Sequence, residues 1–330
     1  MGEILDHRRA ASAERIESLR RELVRAEELC ANRACVYITG SFARGEASGH
    51  SDLDLFIVGH GTRKDPALSR LNEILVKADL IESSKRLGLP EFSGDGQYLT
   101  HHTDSELIGT LGKPEDDVNN TFTARLLLLL ESTPLLGKAA YLKITNDVIA
   151  SYWRDYQDHR NDFMPAFLCN DILRMWRTFC VNYEARTQSA PPEKKAKRKL
   201  KNYKLKHSRL LTCYSALLYL LAVFSKSRTV SPTDAVHMIS LTPTQRLEWL
   251  LLQPELEKAH PSIKDLVKKY EEFLGNTDAS EKDMVSLFLD KQKSKERLDS
   301  AYQFGDVVFD VFEILGKLEK NGRFHRLLVV

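Results

Sequence analysis

Hydrophobic positions along the chain fall into two regimes. Over residues 7–32, Ile16, Leu19, Leu23 and Ala26 recur at helical spacing among Arg and Glu, which predicts an amphipathic helix. The β-branched run at 34–40 then predicts a strand that ends in Gly40. A small-residue loop leads to a second strand at 52–59, where Leu53, Leu55 and Ile57 alternate with Asp52, Asp54 and Phe56. Side chains two apart on a strand share a face, so both aspartates lie on one side and the leucines on the other. Helical spacing returns at 66–87, and residues 96–103 predict a third strand after a loop from Gly88 to Gly96.

From Asp116 onward almost every apolar pattern is helical. The run Leu126–Leu130 reads as a core helix that stops before Pro134 and Gly137. Further helices are predicted at 139–159, 165–185, 206–226, 231–240, 243–253, 261–274, 280–293 and 297–320. The segment 189–209 departs from this pattern: it opens on a double proline, carries a dense run of Lys and Arg, and reads as a loop feeding a helix. The expected fold is α+β, a small mixed β-sheet flanked by helices over 1–145, followed by an all-helical domain over 146–330.

Composition narrows the class. Hydrophobic residues make up 42% of the chain and charged residues 28%, an ordinary globular balance. A net charge of +2 means that attraction to polyanions must come from local clusters. Five cysteines without CxxC spacing, behind a charged and helical N-terminal stretch, read as packed, reduced thiols of a cytoplasmic protein. The longest apolar runs, Leu126–Leu130 and Ala216 to Phe224, are too short to span a bilayer, so no membrane partner is expected.

The segment that carries chemistry is Gly40-Ser41-Phe42-Ala43-Arg44-Gly45 followed by Ser51-Asp52-Leu53-Asp54-Leu55. Two carboxylates at i and i+2 of a strand project from one face about 7 Å apart, a spacing suited to hard divalent cations. The Gly-Ser turn upstream offers backbone N–H groups and a hydroxyl to phosphate oxygens. Each piece alone is ordinary, since a D-x-D pair is more often a solvated edge and Gly-Ser only a turn. The combination in this order is what signals a metal-assisted phosphate site.

This combination resembles the signature of the DNA polymerase β-type nucleotidyltransferase superfamily: Gly-Ser, a short spacer, then Asp-x-Asp. The resemblance is specific over 37–59 and weaker to about 137. It implies that Asp52 and Asp54 ligate magnesium, with manganese as a substitute, and that Gly40 and Ser41 bind the triphosphate of a nucleoside triphosphate. It gives Arg44 a phosphate contact or a role bracing the turn. The family's third carboxylate is assigned to Asp95, because Asp95 to His102 is similar to the matching strand of PII-uridylyltransferase-type enzymes; Asp104 and Glu106 are the alternatives. One of His101 and His102 at most faces the metal side.

In similar enzymes a helical domain closes the cleft and supplies cations. Lys206 and Arg209 are the candidates for that role, and the earlier lysines from Lys194 to Lys201 for an oligonucleotide acceptor or product. Arg174 and Arg177 share a helical face and either line the cleft or pair on the surface. Trp153, Trp176 and Trp249 read as core. The implied activity is attack on the α-phosphate with release of pyrophosphate, giving a template-independent oligonucleotide or cyclic product. The bacterial signal-making and immune relatives add antiphage signalling and an effector protein that senses the product. Transfer onto a protein, RNA end or small molecule is the second reading, and an inactive protein retaining the fold the third.

Overall fold

A computed structural model of the chain describes residues 2–92, 99–184, 191–319 and 321–329. These form two compact units, Glu3–Arg154 and Asp155–Val330.

The first unit is built on four strands, β1 (Ala34–Thr39), β2 (Asp54–Gly59), β3 (His101–Thr103) and β4 (Thr133–Leu136), in the order β3-β2-β1-β4. β1 is antiparallel to both β2 and β4, while β2 and β3 run parallel, so the sheet is mixed. β4 was not foreseen. It is a short edge strand containing Pro134, which lacks the N–H a central strand needs, and the register shifts beside Tyr37 where it pairs.

Period-two alternation dresses the two faces differently. Val36, Ile38, Leu55 and Ile57 join one apolar cluster with Ile16, Leu19, Leu23, Ala26, Val76 and Leu80. That cluster draws on α1 (Glu3–Glu22), α2 (Val24–Cys30) and α3 (Arg70–Arg86). The predicted helix over 7–32 is therefore two helices, with Leu23 at the break yet still fully buried. On the other face Tyr37 stacks on Phe56 with ring centroids 5.6 Å apart and donates through its hydroxyl to the Ala124 carbonyl at 2.9 Å. After α4 (Asp104–Gly109), this face is covered by α5 (Thr121–Leu130), which holds the five leucines, and α6 (Lys138–Tyr152). Trp153 is buried there as predicted.

The second unit is helical, as expected: α7 (Ala166–Glu184), α8 (Pro192–Ser227), α9 (Pro232–Ser240), α10 (Pro243–Leu251), α11 (His260–Asn276), α12 (Glu281–Leu289), α13 (Lys291–Leu318) and α14 (Arg323–Val329). α8 corrects the sequence reading, which placed a loop at its start. Pro191 and Pro192 do not break this helix; they stand at its N-cap and first position, where a missing N–H costs nothing. Ala196, Leu200 and Tyr203 then make a buried stripe at helical spacing, and Lys and Arg are good helix formers. The C-terminal part of α8 is apolar and long enough to cross a membrane, but 78% of that window is buried inside the unit. α12 and α13 also part earlier than predicted, at Asp290, whose carboxylate caps α13 by accepting from the Lys293 N–H.

Candidate active site

The register of β1 and β2 sets the site. Thr39, the last residue of β1, pairs with Asp54, the first of β2. Beyond Thr39 the chain leaves the sheet, so residues 52 and 53 have no ladder partner, and β2 begins at Asp54 rather than at Asp52. Alternation continues through this lead-in: Asp52 is exposed, Leu53 buried and Asp54 half-buried. The two carboxylates thus sit at the open end of the sheet.

Gly40 makes the turn, with φ of 70°, and opens a four-residue helical turn, Gly40–Ala43. Two constraints require glycine here. The backbone is left-handed, and a β-carbon would lie 2.8 Å from Asp54 Oδ2. The Gly40 N–H itself donates to Glu131 Oε1 at 3.2 Å, so this group is already engaged within the protein. Ser41 is half-exposed, and among the described residues its hydroxyl has no hydrogen-bond partner.

Arg44 is inside the protein rather than on the phosphate-facing surface. Its Nε donates to Glu46 Oε2 at 2.7 Å and its Nη1 to Glu131 Oε2 at 2.9 Å, with all three side chains buried. These contacts have the geometry of a brace for the turn, one of the two roles the resemblance implies. Glu131 therefore ties the Gly40 turn to the Arg44 loop. Sequence reasoning missed Glu46 and Glu131. The available signal was a lone carboxylate directly after five leucines, at a position where a charge is buried only with a partner.

The loop from Gly45 to Ser51 is held by α1, whose role was also missed. Arg8 Nη1 donates to the Glu46 carbonyl at 2.9 Å, and Ser12 Oγ accepts from the Ala47 N–H at 3.1 Å. Arg15 Nη1 donates to the Ser48 carbonyl at 2.7 Å while its guanidinium lies 4.7 Å from the centre of the Phe42 ring. Burial lowers the pKa of Arg15. These contacts fix the spacer between Ser41 and Asp52.

Of the candidates for a third carboxylate, Asp95 lies outside the described residues. Asp104 and Glu106 are at the wrong end of the sheet. β3 runs parallel to β2 with Gly59 opposite Thr103, whereas Asp54 opens β2 five residues earlier, about 17 Å away along the strand. Both are also committed: Asp104 accepts from Gly61 N at 3.1 Å and meets His60 Nδ1 at 2.7 Å, and Glu106 closes a capping box with Thr103. His101 and His102 face opposite sides as predicted, His101 toward Glu73 at 3.4 Å and His102 toward Phe56. Burial lowers the pKa of both imidazoles. Among the described residues no three His, Cys, Asp or Glu side chains form a metal cluster. Asp52 and Asp54 nonetheless offer the hard oxygen donors that a hydrated divalent cation takes, and Gly40 leaves room beside one of them.

In the second unit, Lys206 and Arg209 fall in a π-helical turn, Leu205–Arg209, inside α8. The Lys206 ammonium rests 3.6 Å from the centre of the Tyr302 ring, and the Arg209 guanidinium 5.6 Å from that of Phe179. Arg174 lies 3.9 Å from the buried carboxylate of Asp171. Trp176 and Trp249 are half-buried against Tyr214 and Tyr219.

The segment that makes the glycine turn and leads into β2 is also where comparison with known proteins finds a match. The family described as "Nucleotidyltransferase domain" matches residues 16–89, which include Gly40, Ser41, Arg44, Asp52 and Asp54. Residues 16–89 of the chain are accordingly a nucleotidyltransferase domain, as in the DNA polymerase β-type superfamily. No curated protein and no solved structure matches it.

Proposed function

We propose that the first unit transfers a nucleotidyl group from a nucleoside or deoxynucleoside triphosphate onto a hydroxyl, without a template, to build an oligonucleotide or cyclic product. The acceptor oxygen attacks the α-phosphorus, the bond to the bridging oxygen breaks, and pyrophosphate leaves. Asp52 and Asp54 would hold magnesium, or manganese in its place. A cation held there would supply charge neutralisation at the phosphates and at the attacking oxygen. The observation that carries this reading is the fit of Asp54 to Gly40: the turn keeps space at the carboxylate that any side chain would fill.

The protein's own residues supply positioning. Ser41 offers a hydroxyl to the phosphates, and Glu131 and Arg44 keep its turn in place. Asp95, preceding β3, is the proposed third carboxylate and the acceptor of the hydroxyl proton. Lys206 and Arg209 are proposed triphosphate contacts.

The test is incubation of the purified chain with each labelled ribo- and deoxyribonucleoside triphosphate and magnesium or manganese, beside an Asp52→Ala/Asp54→Ala variant. Free oligomeric or cyclic product that disappears in the variant supports the proposal. Label that appears only on an added acceptor moves the activity to acceptor transfer. Product that persists in the variant overturns the site.

A further inference from the structure

The first unit holds a cavity of about 800 Å³ beside the last three residues of β2, away from Asp54. The four consecutive residues Thr100 to Thr103 line it, so it runs along β3, the edge strand. Gly40, Ser41, Asp52 and Asp54 are not among its lining residues. The volume falls within the ~300–1,000 Å³ typical of small-molecule sites.

Two arginines bring positive charge to it. Arg70, the exposed first residue of α3, has no carboxylate in ion-pair reach among the described residues. Arg63 is 79% exposed at its side chain, and Glu106 lies 3.9 Å away. The cavity's own carboxylates are committed elsewhere. Glu106 accepts from the Thr103 N–H at 2.9 Å in its capping box, and Glu73 meets the Lys77 ammonium at 2.5 Å and His101 at 3.4 Å. A second pair of groups comes from the start of α5, where Asn119 and Asn120 are half-buried. Asn120 is the N-cap of this helix, the position at which an asparagine side chain ordinarily accepts from the first helical N–H groups. Here it makes no such bond and holds φ of 57°. Among the described residues neither side-chain amide has a hydrogen-bond partner, so both keep a donor and an acceptor for a ligand. Val118, beside them, is 84% exposed.

We propose that this cavity is a separate ligand site of the first unit and that it binds a nucleoside phosphate without transferring it. Arg63 and Arg70 take the phosphate oxygens, in the charge-assisted bonds that guanidinium groups make with phosphate. Asn119 and Asn120 meet the polar edge of the base, which an amide matches with one donor and one acceptor. Val118 covers part of its apolar face. A bare polyphosphate would use the arginines and leave the amides idle, which is why the base belongs to the ligand. Asp54 is about 17 Å from the cavity's end of β2, so a nucleotide held here is out of its reach. The site stands whether or not Asp52 and Asp54 are catalytic.

The experiment is isothermal titration of the full chain with ATP, GTP, CTP and UTP in turn, and with sodium tripolyphosphate, in EDTA so that no divalent cation takes part. One nucleoside triphosphate or more is expected to bind about tenfold more tightly than tripolyphosphate, the amides and the apolar wall supplying the difference. Arg63→Gln/Arg70→Gln, checked for folding by circular dichroism, is expected to lose about tenfold of that affinity or more. Arg70→Gln alone serves if the pair misfolds. Asn119→Ala/Asn120→Gly is expected to bring the nucleotide down to the tripolyphosphate level, and glycine at 120 keeps the left-handed backbone. Asp52→Ala/Asp54→Ala is expected to bind like the parent, so failure of this site and failure of the catalytic site read out separately. The proposal is overturned if no nucleotide binds, if the arginine variants bind unchanged, or if tripolyphosphate binds as tightly as every nucleotide.

Discussion

The Asp54 carboxylate sits so close to Gly40 that a β-carbon at residue 40 would be 2.8 Å from Oδ2. The turn and the carboxylate are therefore linked: the left-handed glycine that follows β1 also leaves the space beside Asp54. Gly40→Ala must pay in two ways, through φ of 70° and through displacement of Asp54. The expected cost is about 1–3 kcal/mol of stability. The expected loss of nucleotidyl transfer is larger, tenfold or more, because Asp54 moves. Denaturant unfolding and initial rates on the same preparation check the pair, and a variant that loses stability without losing rate sinks the linkage.

Arg44 bridges Glu46 and Glu131, with all three side chains buried. Removing it leaves two carboxylates without their shared cation. Arg44→Met is expected to cost about 3–5 kcal/mol in urea unfolding, the penalty typical of breaking a buried pair from one side. An arginine that served only the triphosphate would give the opposite pattern, unchanged stability with a raised KM.

How far the sequence reached is clearest at these residues. Gly40, Ser41, Asp52 and Asp54 are readable in their placement, which follows from local rules: a turn that needs glycine and a strand whose period sets its faces. Glu131 was not readable as their partner, since it reaches Gly40 across 91 positions and only the assembled sheet brings the two together. β4 escaped because Pro134 signals an end of structure unless an edge is known to be there. The start of α8 escaped for a related reason. Double proline and dense charge both suggest a loop, and the three buried positions that outvote them are meaningful only with a core behind them. The all-helical second half needed no such knowledge, because its apolar spacing is long and regular.

Asp116 and Arg125 form a second fully buried pair in the first unit, away from the chemistry. Arg125 donates to Asp116 through Nη1 at 2.9 Å and also to the Leu107 carbonyl and the Tyr152 hydroxyl, while Thr121 donates to Asp116 Oδ1 at 2.8 Å. Arg125→Met or Asp116→Leu alone is expected to lose about 3–5 kcal/mol, whereas the double replacement recovers most of it, because no unpaired charge remains. A double-mutant cycle in denaturant measures the coupling, and simple additivity would contradict the account.

His207 offers a prediction on pH. Its ring stacks on Phe273 at 4.4 Å with 5° between planes, and Nδ1–H donates to the Tyr203 carbonyl at 2.9 Å. Burial pushes its pKa down to about 4 from an ordinary 6.5. Between those values the unfolded chain binds the proton and the folded chain does not, so protonation favours unfolding. The contribution is complete above about pH 6.5 and is lost as pH falls toward 4. It amounts to about 3 kcal/mol over the full window and about 1 kcal/mol between roughly pH 7.5 and 5.5. His101 and His102, also depressed by burial, add to the same trend in the first unit. The variant isolates the second: His207→Phe keeps an aromatic ring in the stack but cannot titrate. Urea unfolding followed by fluorescence of Trp176 and Trp249 is expected to show a shallower acid loss in the variant than in the parent. Equal slopes would mean that His207 takes up its proton without unfolding, and that the stack on Phe273 tolerates an imidazolium.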